Sequence, residues 1–420
     1  MRSEGIDGMK RERVIIGGGL AGACAALALA ARGVASTVIE RDAQAMNRAS
    51  LRNEGKIHLG LIYAADGSGA TARLQLRGAL TFAPLLRGWG VDMGAVSIAR
   101  PFAYLAAPDS LQSPEALEAH YDGLSDLAAE WMAADPALDY LGRRPGRLAR
   151  RLGAAEAGRW FSPDHAQAVF DTEELAVDTA ALAAEMRRAL AASPLIEVLT
   201  RHDLRAARRI EGGFRLEGQG PDGVFDIEAR QVINAAWENL YRFDAEAEGP
   251  APTPGWLHRL KYRVMARLPE RLEAAPSMTM VLGAYGDVVV RPGGLSYLSW
   301  YPTGCRGWSD AVSPPSDWDA ACRGEADAET AAQVAEGALA HLGAIFPGVE
   351  AAQVGVVDAG AILAHGKTDV DDPESGLHDR TEVGPALRDG WMSLNPGKLT
   401  TAPLLAERAA QALTGARAAA

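Results

Sequence analysis

A strand, a glycine turn and a helix in immediate succession constrain this chain more than any other feature. Val14–Ile16 is a β-branched run of the kind that forms a buried parallel strand. It leads directly into Gly17-Gly18-Gly19-Leu20-Ala21-Gly22, which fits G-x-G-x-x-G. The Ala/Leu-rich segment Ala21–Ala31 reads as a helix that stops at Gly33, and a second strand, Ser36–Ile39, ends on Glu40. In such a unit Gly17 permits the tight turn, Gly19 lets backbone approach a pyrophosphate and Gly22 lets helix and strand pack closely. The amides of Leu20 and Ala21 at the helix N-terminus favour the phosphate charge. A carboxylate at position 40, followed by Arg41, suits a ribose with a free 2′-hydroxyl, so FAD or NAD is favoured over NADP.

At 420 residues the chain is too long for this unit alone, so two or three domains, or one nucleotide domain carrying a second, are expected. A net charge of −12 argues against a nucleic-acid partner. The three cysteines, Cys24, Cys305 and Cys322, have neither metal nor disulfide spacing, and no metal site is expected. Residues 1–12 are polar, so no signal peptide is expected, and Met9 is a second possible start. The run Ala21–Ala31 is too short to cross a bilayer. Reduced thiols point to the cytoplasm.

Farther along, helices are expected at residues 70–88, Pro114–Ala134 (capped by Ser113), Thr179–Ala192, Arg323–Leu342 and from about 402 to Thr414. Strands are expected at Val96–Ala106, Ile196–Thr200, Gln231–Ala236 and Val354–Ile362. Between Arg259 and Tyr301 the alternating segments KYRVMARL, MTMVL, DVVVRP and LSYLSWYP read as an antiparallel sheet. The basic run 143–160 reads as a solvated face.

Two further segments carry chemistry. Ser50-Leu51-Arg52-Asn53-Glu54-Gly55-Lys56-Ile57-His58-Leu59-Gly60-Leu61-Ile62-Tyr63 sets a histidine between glycines, with Lys56 one alternation away. Pro396-Gly397-Lys398-Leu399-Thr400-Thr401 is a glycine-led loop entering a helix, which presents free amides to an anion.

Taken together, these segments resemble the FAD-dependent oxidoreductases of the D-amino-acid-oxidase superfamily along nearly the whole chain. His58, Gly60 and Tyr63 match the arrangement in the L-2-hydroxyglutarate and glycerol-3-phosphate dehydrogenase branch, and residues 396–407 are similar to its C-terminal Gly-Lys-x-Thr-Thr signature. Ile233-Asn234-Ala235-Ala236 matches the strand that passes the flavin's dinucleotide moiety. The family usually continues with a glycine where this chain has Trp237, and carries an arginine near Gly360 where this chain has Ala361-Ile362.

The resemblance implies an α/β fold (α+β overall), with a discontinuous Rossmann-like FAD-binding domain and an antiparallel-sheet substrate domain. Residues 9–92, 146–245 and 353–420 would form the first, and 93–145 and 246–352 the second. It also implies a small-molecule substrate, non-covalent FAD, and oxygen or a quinone as electron acceptor. Gly17, Gly19, Leu20, Ala21, Gly22, Glu40, Arg41, Ala235, Gly397, Lys398, Leu399, Thr400 and Thr401 would hold the cofactor. His58 is the candidate base, with Lys56 and Lys398 as alternatives. Arg291, Tyr297, Tyr301, His378 and Arg380 are candidates for the substrate. The expected activity is oxidation of CH–OH in a hydroxy acid or polyol derivative. Oxidation of CH–NH, as by an amine or amino-acid oxidase, and a non-catalytic flavin-binding subunit are the alternatives.

Overall fold

The computed structural model of the chain describes residues 9–251, 254–283, 286–366 and 383–415. Two large sheets organise it. The first has eight strands, and its parallel centre is the set of strands that the glycine motif requires. Met9–Ile16 lies between Ser36–Ile39 and Gly223–Asn234, with Ile15 opposite both Val38 and Ile233. Ile196–Leu199 extends the sheet beyond Ser36–Ile39, and Trp391–Asn395 extends it beyond Gly223–Asn234, both in parallel. Asp203–Ile210 and Gly213–Gly220 form a hairpin on the outer half of Gly223–Asn234. The helix Leu20–Ala30 is buried from Leu20 to Leu29. An all-apolar helix has no face to give to water, and this one packs between the sheet and the closing helix Ala402–Thr414.

The second sheet has nine strands. Its longest pair, Trp256–Arg267 with Gln353–His365, runs antiparallel from Trp256 opposite His365 to Arg267 opposite Gln353, with a bulge at Met265/Ala266. Ala149–Arg151 and Ala168–Thr172 also belong to this sheet, through Phe102–Ala106. These two strands and Gln353–His365 therefore lie with the second sheet, although their segments, 146–245 and 353–420, are expected from sequence in the nucleotide domain. Ladder hydrogen bonds assign a strand, and the pairs Tyr104 with Phe170 and Lys261 with Gly360 are unambiguous.

The helices at Ala70–Gly88, Pro114–Ala134 and Thr179–Ala192 lie where the sequence predicts them. Ser113 Oγ accepts from Ala116 N–H, as its N-cap position requires. Three expectations change. The expected helix Arg323–Leu342 is two helices, Asp319–Arg323 and Ala328–Ile345, separated by Gly324 at φ 98° and restarted by Asp327, whose carboxylate accepts from Thr330 N–H. The expected strand Val96–Ala106 begins at Phe102, after Pro101, which has no N–H for a ladder. Tyr301 is not on the strand with Tyr297: Ser296–Trp300 ends there, and Tyr301 opens a helical turn with Pro302 in its first positions.

A third, two-stranded sheet is small but decisive for the site. Lys56–Ile57 pairs antiparallel with Leu175–Ala176. It brings the histidine segment against residue 174.

Candidate functional site

A groove of about 1640 Å³, its open mouth included, runs from the glycine turn at Gly17 to the loop at Lys398. Its floor at one end is the turn itself. Gly17 has φ 94°, and a Cβ there would lie 2.8 Å from Ala235 O; a Cβ on Gly22 would lie 1.9 Å from Gly17 O. Neither position tolerates a side chain. Gly19 differs: a Cβ there would meet only Ser50 Oγ, at 3.1 Å, so its other sides face the groove. That is the space a pyrophosphate needs beside the N-terminus of Leu20–Ala30, and the turn fits a dinucleotide, although of the two amides expected for the phosphate Leu20 N–H donates here to Ser50 Oγ at 2.8 Å.

Glu40 lines the same end. Its Oε2 accepts from Gly18 N–H and its Oε1 from Asp42 N–H, each at 2.8 Å. Burial raises its pKa, against the pull of those two amides. Each carboxylate oxygen keeps a second lone pair for a ribose hydroxyl. Arg41 is ion-paired with Glu238, and Arg48 bridges Asp42 (2.9 Å) and Asp319 (2.5 Å). Trp237 holds φ 45°, in the region that favours glycine, and its indole N–H donates to Ala361 O at 2.8 Å. The two departures from the family pattern, at Trp237 and Ala361, thus touch each other across the groove.

The loop before the last helix forms the opposite end. Gly397, at φ 64°, donates its N–H to Asn395 Oδ1 at 3.0 Å. Gly397, Lys398, Leu399 and Ala402 line the groove. Thr400 and Thr401 are fully buried behind it. Thr400 Oγ1 accepts from His58 N–H at 2.9 Å and donates to Lys56 O at 3.3 Å; Thr401 Oγ1 donates to Pro396 O at 2.5 Å. Both threonines brace the loop, and Thr400 ties it to the histidine strand.

Between the ends the wall is charged. Lys56 is buried, with Nζ 2.7 Å from Asp287 Oδ1, bonded to Thr279 Oγ1, and 4.3 Å from the centroid of the Phe102 ring. An ammonium held this way has no lone pair with which to accept a proton. Lys261, also buried, lies over the Tyr301 ring at 4.0 Å and the Tyr297 ring at 6.0 Å. Burial alone would lower its pKa, but Tyr297, Tyr301, Glu54 and Asp287 raise it well above the ordinary lysine value. Arg263 forks onto Asp358 at 2.6 and 3.1 Å, and Arg52 Nε reaches the same carboxylate at 3.1 Å.

His58 is buried in the groove wall. Its Nδ1 lies 3.4 Å from Glu174 Oε1, its Nε2 lies 3.9 Å from Glu54 Oε1, and Tyr63 packs edge-on at 5.8 Å between centroids. Burial lowers its pKa; Glu174 opposes this, while Lys398 and Lys56 add to it. The ring is therefore neutral near pH 7. Glu54 is held well below the ordinary carboxylate value: burial opposes ionisation, and Lys261, Lys398 and Lys56 outweigh it.

Of the residues expected at the substrate, Tyr297 lines the groove. Tyr301 reaches it only through Lys261. Arg291 is turned away, its guanidinium donating to Glu54 O at 3.1 Å and Val177 O at 3.4 Å, and burial lowers its pKa. His378 and Arg380 lie outside the described residues. Sequence reasoning passed over Glu54, Glu174, Lys261 and Asp287. For Lys261 a signal existed: Arg259, Lys261 and Arg263 alternate along one strand, which sets three cations on one side.

Among the described residues no helix is long and apolar enough to cross a membrane, and no three His, Cys, Asp or Glu side chains cluster as a metal site.

The sequence model of the family described as FAD dependent oxidoreductase matches residues 13–412. No curated protein matches the sequence. Several solved structures share the fold. Glycine oxidase from Geobacillus kaustophilus aligns with TM-score 0.68 and 17% identity over 98% of this chain and 96% of its own. Iminodiacetate oxidase from Chelativorans sp. BNC1 gives 0.66 and 19% over 97% of each chain. L-alpha-glycerophosphate oxidase from Mycoplasma pneumoniae gives 0.63 and 14% over 96% of this chain and 95% of its own. These neighbours include proteins named for amine and for alcohol substrates, and at such identities they speak to the fold alone.

Proposed function

Because this chain belongs to the FAD dependent oxidoreductase family, we propose that it oxidises the CH–OH group of a small polar substrate, a hydroxy acid or polyol derivative, on non-covalently bound FAD. When bound, the flavin supplies the acceptor for the hydride that leaves the substrate carbon. The chain's own groups do the rest. Gly17, Gly19, Leu20, Ala21, Gly22, Glu40, Arg41 and Ala235 hold the dinucleotide half. Gly397, Lys398 and Leu399 hold the ring end, braced by Thr400 and Thr401. Lys261 and Tyr297 orient the substrate's polar group, and His58 takes the hydroxyl proton. Oxygen or a quinone then accepts the electrons.

One observation supports the choice of CH–OH: the imidazole of His58 lines the groove wall beside Glu174, where burial holds its pKa below the ordinary histidine value and so favours the basic form. An alcohol must give up its proton as hydride leaves, so it needs a positioned base. An amine can arrive unprotonated and needs none.

Anaerobic mixing of the holoenzyme with panels of hydroxy acids, polyols, amines and amino acids, followed by flavin bleaching, tests this. Bleaching by a hydroxy compound is the expected result. Bleaching by amines or amino acids alone would overturn it in favour of CH–NH oxidation. Full FAD occupancy with no bleaching by any panel would leave a flavin-carrying protein without turnover.

A further inference from the structure

His58 has a carboxylate behind it whose placement depends on the two-stranded pairing of 56–57 with 175–176. We infer that Glu174 is a positioning residue that selects the His58 tautomer, holding the proton on Nδ1 and leaving the Nε2 lone pair facing the groove. The consequence for rate rests on the reading of His58 as the base; the tautomer does not.

Glu174 is fully buried. Its Oε2 accepts from Leu59 N–H at 2.7 Å, and its Oε1 accepts from the Tyr104 hydroxyl. The same Oε1 lies 3.4 Å from His58 Nδ1, at ion-pair distance, and Nδ1 makes no hydrogen bond among the described residues, so this carboxylate oxygen is the acceptor placed beside it. Burial disfavours the charge on Glu174, yet His58, Lys56 and Tyr104 hold its pKa below the ordinary value. Ionised, it can only accept. A lone pair on Nδ1 would face the lone pairs of a buried carboxylate, whereas an N–H there would meet an acceptor. The neutral ring has one such proton to place, and Nδ1 is where it is stabilised.

The other groups facing the ring leave this unchanged. Glu54 is 3.9 Å from Nε2, too far for a hydrogen bond, and is only half-buried. Lys56 and Lys398 act on the ring by charge, which favours its neutral form without choosing a nitrogen. Tyr63 presents a ring edge.

A purely structural Glu174, present only to cap Leu59 N–H and the Tyr104 hydroxyl, would be replaced adequately by glutamine. The two readings therefore separate on Glu174→Gln. Glutamine keeps an oxygen for Leu59 N–H but sets an NH₂ donor where Oε1 stood, facing Nδ1. The proton must then move to Nε2, and the groove loses its base.

Nitrogen NMR of FAD-loaded protein carrying isotope-labelled histidine reads the tautomer directly, with the His58 signals assigned by their loss in His58→Ala. The expected wild-type ring is protonated on Nδ1, and the Glu174→Gln ring on Nε2. Flavin reduction in Glu174→Gln should slow by about 10²–10⁴-fold with FAD content unchanged. A wild-type ring protonated on Nε2, or the same tautomer in both proteins, would overturn the inference. Should Glu174→Gln not fold, the wild-type spectrum alone decides. A switched tautomer with reduction rates within a few-fold would sustain the role of Glu174 and remove His58 as the base.

Discussion

Thr400→Val separates bracing from cofactor contact at the loop before the last helix. Valine matches threonine in shape but lacks the hydroxyl. The substitution leaves the buried His58 N–H without its 2.9 Å acceptor and removes the donor to Lys56 O. An unsatisfied buried amide costs about 1–3 kcal/mol, and the lost hydroxyl bond about 0.5–1.5 kcal/mol, together roughly 1.5–4.5 kcal/mol. Unfolding entropy of about 2.1 cal/mol/K per residue gives roughly 0.9 kcal/mol/K over 420 residues. The melting temperature should therefore fall by about 2–5 °C. Thr400→Ser keeps the hydroxyl and should recover most of the loss. FAD occupancy should stay near wild type in both, because Thr400 lies behind the groove wall. Calorimetry and the flavin absorbance of the purified proteins check this. A valine variant that melts like wild type but loses its FAD would refute the bracing role.

Other perturbations follow from the same geometry. Gly19→Val should abolish FAD loading, since the added side chain enters the space beside Ser50 that the pyrophosphate needs; full occupancy on reconstitution would show that the turn is misassigned. Asp287→Ala should cost about 3–5 kcal/mol by stranding the Lys56 ammonium in a buried site, and adding Lys56→Met should restore part of it. Thermal unfolding of the single and double variants measures both effects, and a double variant worse than Asp287→Ala would contradict the stranded-charge account. The pH dependence of flavin reduction has a definite sign. His58 titrates below the ordinary 6.5, so the rate should be level above that pH and fall only on acidification below it. A limb centred above 6.5 would assign the ionisation to another group.

The nucleotide half was legible because its signals are local. Gly17, Gly19, Gly22 and Glu40 occur within one strand–turn–helix–strand unit, and the structure sets Gly17, Gly19 and Glu40 along one end of the groove, with Gly22 packed against the turn beneath. Ser113 and Pro114 marked a helix start for the same reason. The end proposed to be catalytic depends on contacts between distant segments. Glu174 meets His58 only because residues 56–57 pair with 175–176, and Asp287 meets Lys56 from a strand of another sheet. No spacing in the chain announces either pair. Arg291 closes an apolar strand, as a substrate-binding arginine could, yet its guanidinium finds Glu54 O and Val177 O first. Tyr301 was misplaced by a simpler cause: LSYLSWYP reads as one continuous strand, but the strand ends at Trp300 and Tyr301-Pro302 opens a helical turn.

The role of His58 is tested most directly by anaerobic stopped-flow reduction of FAD-loaded His58→Ala with the substrate that bleaches wild type. Reduction should slow by about 10²–10⁴-fold, and its low-pH limb should disappear, while FAD remains bound. A rate within a few-fold of wild type, with the limb intact, would contradict the assignment of the base.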